Sequence, residues 1–252
     1  MADKFYFHIF IDNSTAMKET EHDLIKDIVK KLGPAIEPKA EKITLYYLQP
    51  DAGPSRFDVP NNDPEKLQEK VDSLNPGEKR IDFDQMAEFL KDTHLHKPRG
   101  KPHSIIYITN GAASLNYENK LSKLIDQTMV RVAARDGPTI RVGEMLYRPC
   151  GITFVLVGGD QEAKGLLEGL DTVDSPTQKN LEECLKHGSD ELYNKANDVL
   201  NKLKPDEKQY YCKKTLDIVD FVEVKHIEEL DERKLEKIML GAIDPNLDDV
   251  DA

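Results

Sequence analysis

The stretch FYFHIFIDNSTAM, residues 5–17, decides how the rest of the chain is read. Phe5 to Ile11 is a short run of aromatic and β-branched residues, the pattern of a strand buried on both faces. It stops at Asp12-Asn13-Ser14-Thr15, residue types that favour turns. Beyond Met17, the residues Leu24, Ile25, Ile28, Val29 and Leu32 recur at spacings of three and four, so a helix with one apolar face follows. Gly33 and Pro34 are expected to end it. Buried strand, polar turn and amphipathic helix together open a parallel α/β unit.

Outward from there the same alternation recurs. Ile43 to Leu48, Ile105 to Ile108, Ile152 to Val157 and Ile218 to Val224 read as further buried strands. Arg56 to Val59, in SRFDVP between Gly53-Pro54 and Pro60, reads as a brief edge strand. Helical spacing covers Leu67 to Leu74, Phe83 to Leu90, Leu121 to Ala134, Ala163 to Leu170 and Leu230 to Ala242. The expected fold class is α/β, with a doubly wound, mostly parallel central sheet flanked by helices. Asp136 to Pro149, with Gly137, Pro138, Gly143 and Pro149, reads as a loop or irregular hairpin. Residues 174–215 read as a helical insertion, so 1–244 form one domain and 245–252 an acidic tail.

Composition narrows the function classes. Of 252 residues 33% are charged and 38% hydrophobic, a globular mix. Lys and Arg number 35 against 47 Asp and Glu, a net charge of −12 that repels phosphate backbones and anionic lipid, so neither nucleic acid nor a membrane is the expected partner. Cys150, Cys184 and Cys212 form no close pair and no metal-ligand spacing, which suits a reducing compartment and packing roles. No apolar run approaches membrane-spanning length, and the expected location is the cytoplasm or nucleus.

In an open parallel sheet, ligands meet the loops at the carboxyl ends of the strands. Three such loops stand out: Asp12-Asn13-Ser14-Thr15-Ala16-Met17, then Thr109-Asn110-Gly111, then Gly158-Gly159-Asp160. The first of these, with Ile106-Tyr107-Ile108-Thr109-Asn110-Gly111 and the run Phe154 to Asp160, resembles a von Willebrand factor A domain, and Phe221 to Val224 resembles that family's closing strand. The resemblance implies a protein-binding scaffold whose metal-ion-dependent adhesion site would use Asp-x-Ser-x-Ser, a Thr from a second loop and an Asp from a third. Here Asp12 and Ser14 match, Ala16 replaces the second hydroxyl, Asn110 replaces the Asp, and Asp82 is the nearest acid on a second loop that lacks Thr. The Asp-Asn-Ser opening resembles the intracellular branch of the family, in which a degenerate site is common.

Two readings of the site stand side by side. In one, the chain is a non-catalytic interaction module with no cofactor: Asp12 and Ser14 brace the turn and the helix start, and Asn13, Thr15, Gly111 and Asp160 lie on the binding face. In the other, Asp12, Ser14, Asp82 and Asn110 keep a residual Mg²⁺ or Mn²⁺ site that binds an acidic partner residue. A third places Asp12, Thr109 and Asp160 in the roles of a haloacid dehalogenase-like phosphotransferase, but Ser14 stands where its second carboxylate is needed. His94 and His96 give only two ligands and read as a solvated turn. No P-loop, nucleophile elbow or dinucleotide fingerprint occurs, so the chain is not expected to be an enzyme.

Overall fold

The structure is a computed structural model that describes residues 5–13, 17–49, 53–75, 101–111, 140–148, 150–171, 219–244 and 246–247. Strands β1 (Phe5–Ile11), β2 (Ala40–Gln49), β3 (Gly53–Asp58), β4 (His103–Thr109), β7 (Cys150–Val157) and β8 (Val219–Val224) form a six-stranded sheet in the order β3-β2-β1-β4-β7-β8. All neighbours are parallel except β3, which runs antiparallel to β2. Between β4 and β7, β5 (Ile140–Val142) and β6 (Met145–Tyr147) make a small antiparallel hairpin. The doubly wound α/β expectation holds.

Alternation along the strands sets the two faces. Phe5, Phe7, Ile9 and Ile11 of β1 join Ile43, Leu45, Ile106, Ile108, Val155 and Val222 in one apolar cluster. Helices α1 (Glu19–Ile36), α2 (Pro64–Asp72) and α4 (Glu232–Leu240) add Ile25, Ile28, Val29, Leu32, Leu67, Val71 and Ile238 to it. The intervening strand positions carry aromatic rings instead: Phe10 stacks on Tyr46 at 4.3 Å, and Tyr107 meets Phe154 edge-on at 5.9 Å.

Several expectations change. α1 does not stop at Gly33 and Pro34 but continues to Ile36, where Glu37 N–H caps it on Gly33 O. Pro34 sits in the last turn, where one missing N–H costs less than in mid-helix. Gly33 serves another purpose: a Cβ there would lie 3.2 Å from Pro64 Cβ and 3.7 Å from Leu67 Cδ2, so its bareness lets α2 approach α1. The tail drawn from residue 245 is anchored at its start, since Leu247 packs against the core and its N–H donates to Asp244 O at 3.1 Å. The helices read over 83–90 and 121–134 and the insertion at 174–215 lie outside the described residues.

Candidate functional site

The strand order reverses between β1 and β4: from β1 the chain moves outward through β2 and β3, then returns to place β4 on the other side. The turns that follow these two strands flank that switch point, where an open α/β sheet leaves its crevice. Asp12 follows β1 directly and is only 1% exposed, and its N–H donates to Ile108 O at 3.0 Å. Next to it, buried Asn13 donates through Nδ2 to Asn75 O at 2.8 Å, tying the first loop to the segment after α2.

From β4, Thr109 places a hydroxyl between two turns. Its Oγ1 donates to Asp12 Oδ2 at 3.1 Å and accepts the Gly111 N–H at 3.0 Å. Gly111 lies at φ +76°, and a Cβ there would collide with Ala163 Cβ in the first turn of α3 (Gln161–Asp171), so this turn requires glycine.

Asn110, 8% exposed, turns its amide the other way and donates through Nδ2 to Glu21 Oε2 at 3.1 Å. The same carboxylate oxygen accepts Lys18 N–H at 2.9 Å at the start of α1, and the Glu21 side chain is only 12% exposed. The turn after β7 also meets it: Gly158 lies at φ +90°, and a Cβ there would stand 2.8 Å from Glu21 Oε1.

Asp160 is exposed, but its Oδ1 accepts the N–H groups of Glu162 and Ala163, both at 3.0 Å, which makes it the N-cap of α3. Further along that helix, Lys164 Nζ reaches Glu223 Oε2 on β8 at 2.8 Å. Burial works against the Glu223 charge, yet hydrogen bonds from Lys164 and Lys225 hold its carboxyl below the usual range, and the Glu223 contact raises Lys164 in turn.

The structure thus brings together Asp12, Asn13, Asn110, Gly111 and Asp160 at one end of the sheet. Ser14, Thr15 and Asp82 lie outside the described residues. α1 begins at Glu19, behind Lys18, and Glu21 accepts the Lys18 N–H at its start, while Asp12 accepts the Thr109 hydroxyl. Sequence reasoning missed Glu21 altogether. The available signal was an acid three residues into a helix, the capping-box position, but Lys18 rather than Ser or Thr stands at the cap and hides the pattern.

Mg²⁺ or Mn²⁺ would ask this set for oxygen ligands. Asn110 instead presents its amide nitrogen to Glu21, and Asp12 Oδ2 is taken by the Thr109 hydroxyl. Among the described residues no three His, Cys, Asp or Glu side chains gather as a metal centre.

No protein-family model matches the sequence, and no curated protein matches it. Among solved structures, the SpRpn10 VWA domain is 10% identical over 93% of this chain and 93% of that one, with a TM-score of 0.45. The von Willebrand factor type A structure from Catenulispora acidiphila is 11% identical over 94% of this chain and 42% of that one, with a TM-score of 0.49. The conserved hypothetical protein BatB from Bacteroides thetaiotaomicron is 11% identical over 64% and 69%, with a TM-score of 0.39. Overlaps this loose assign no family, and the fold stands on its own strand order and register.

Proposed function

We propose that this chain is a non-catalytic protein-interaction module of the von Willebrand factor A type, acting in the cytoplasm or nucleus. It binds a protein partner through the loop face at the carboxyl ends of β1, β4 and β7. One observation carries this reading: Thr109 locks the turn after β4 to the turn after β1 at the switch point, with exposed Gly159 and Asp160 beside them. A pre-shaped loop surface of this kind lowers the ordering cost of binding. No described helix is long and apolar enough to cross a membrane.

The phosphotransferase reading is not favoured, because Asp12 Oδ2 is held by Thr109 and Asp160 is engaged as a helix cap. The residual-cation reading is weakened by the orientation of Asn110. A photo-crosslinking residue at Gly159 is expected to trap a partner in cells that the same group at Glu65, an exposed position on α2, does not trap. Binding of the recovered protein should weaken about tenfold or more with Gly159→Arg plus Lys18→Glu and not with Glu65→Arg, as a buried-centre contact requires. Equal trapping from both positions, or undiminished affinity, overturns the loop-face assignment.

A further inference from the structure

We propose that Glu21 and Asn110 form a clasp that ties the first helix to the turn after β4 without a metal ion, doing by hydrogen bond what a shared cation would otherwise do. Three turns converge on one carboxylate. Lys18 N–H fixes Glu21 Oε2 from the helix side, Asn110 Nδ2 reaches the same oxygen from β4, and Gly158 leaves room for Oε1 beside β7. From the β4 turn the carboxylates of this face meet neutral donors on consecutive residues, Asp12 on Thr109 and Glu21 on Asn110, while the exposed Lys18 ammonium stands 4.0 Å from Glu21 Oε1 on the solvent side.

The residue types are matched to each other. An acid at position 110 would press a second carboxylate against Glu21 at hydrogen-bond distance, an arrangement that needs a proton or a cation between the two. An amide removes that need, because its NH₂ is a donor and a carboxylate only accepts. Asn110 is thus the complement of Glu21, and the departure from the Asp of the adhesion-site pattern is compensated within the same chain. If the face binds a partner as proposed above, that binding needs no acidic group to complete a coordination shell.

Thermal melts of the full chain, in chelator and in millimolar Mg²⁺, test the clasp. Wild type should melt at the same temperature in both. Asn110→Asp should melt lower in chelator, by about 4–8 °C, as for a lost hydrogen bond to a charged group in a chain of this size. The double variant Asn110→Asp with Glu21→Gln should recover part of that loss in chelator. There the new amide NH₂ at position 21 takes the place of Oε2 and donates to the new carboxylate, which ends the clash of two acids but gives up the Lys18 N–H contact to that atom.

A wild-type melt raised by Mg²⁺ and returned to the chelator value by Glu21→Gln overturns the clasp, as does a double variant no more stable than the two losses summed. Should a variant fail to fold, the wild-type side-chain amide signal of Asn110 still decides: it should stay in place on adding Mg²⁺, and a large displacement counts against the proposal. Failure here with crosslinking still confined to Gly159 removes the clasp alone. Success here with no such confinement removes the loop-face reading alone.

Discussion

Thr109 and Asp12 are joined by a single buried hydroxyl that works in both directions. Oγ1 gives its proton to Asp12 Oδ2 and takes the Gly111 N–H, so one oxygen serves the ends of two adjacent strands. Thr109→Val keeps the shape and removes both bonds, leaving a buried N–H and weakening the hold on a carboxylate. The expected loss is about 2–4 kcal/mol, from the usual cost of unmet buried groups. Thr109→Ser, which keeps the hydroxyl, should lose less than half of that. Urea unfolding of the three proteins checks the ranking, and a valine variant as stable as wild type contradicts the bridging role.

Two glycines of the same face should behave in opposite ways. Gly111 combines a positive φ with a collision against Ala163, so Gly111→Ala is expected to cost at least about 2 kcal/mol. Gly159 has nothing within 4 Å of its notional Cβ, so Gly159→Ala should stay within about 0.5 kcal/mol of wild type. Melting both side by side settles the comparison. A mild Gly111→Ala would mean that the turn relaxes at little cost.

The Glu223–Lys164 pair sets a pH window. Glu223 is held below its ordinary value of 4.5, so its contribution is present above that value and is lost as pH falls through the lower folded one. Lys164 is raised above 10.5, so its contribution is present below that value and is lost as pH rises through the higher folded one. Between the two limits the pair is fully effective. The stability gap between wild type and Glu223→Gln should therefore be constant near neutrality and narrow as pH falls below the ordinary value of 4.5 and through the lower folded one. A gap that widens on acidification would rule out this assignment.

The hairpin after β4 offers a third contrast. Tyr147 is buried and meets Phe5 edge-on at 4.9 Å, whereas its neighbours Met145 and Leu146 are 41% and 45% exposed. Replacing both with Ser should change stability by less than about 0.5 kcal/mol, while Tyr147→Ala should cost about 3–5 kcal/mol. Chemical denaturation measures both, and a large loss from the double Ser variant would show that these side chains are packed in solution.

Where residues follow one local rule, the sequence was readable. β1 was bounded at Phe5 and Ile11 because an unbroken apolar run ends there in a turn-forming acid. β2 and β3 proved longer than their apolar centres, since ladder pairing continues through Gln49↔Gly53 and Leu48↔Pro54, and Pro54 is tolerated on an edge. Pro34 misled because a helix's last turn accepts what its middle does not. At the site, Asp12, Asn110 and Gly111 could be picked out from their place just beyond buried strands. Glu21 could not, because an acid in the first turn of a helix already has an ordinary explanation in the helix dipole. Its real setting depends on Asn110 and Gly158, far away in the chain.

The placement of β1 also has a consequence for how the chain comes into being. During synthesis β1, β2 and β3 emerge first and can pair at once, but the other side of β1 stays bare until Tyr6 can meet His103. For that interval the nascent protein carries the open edge of a largely apolar strand, the kind of edge that recruits foreign strands. Ribosome-bound chains halted before His103 should therefore be held by chaperones that release them once Thr109 has emerged, so the window of greatest danger to this protein lies in its own manufacture.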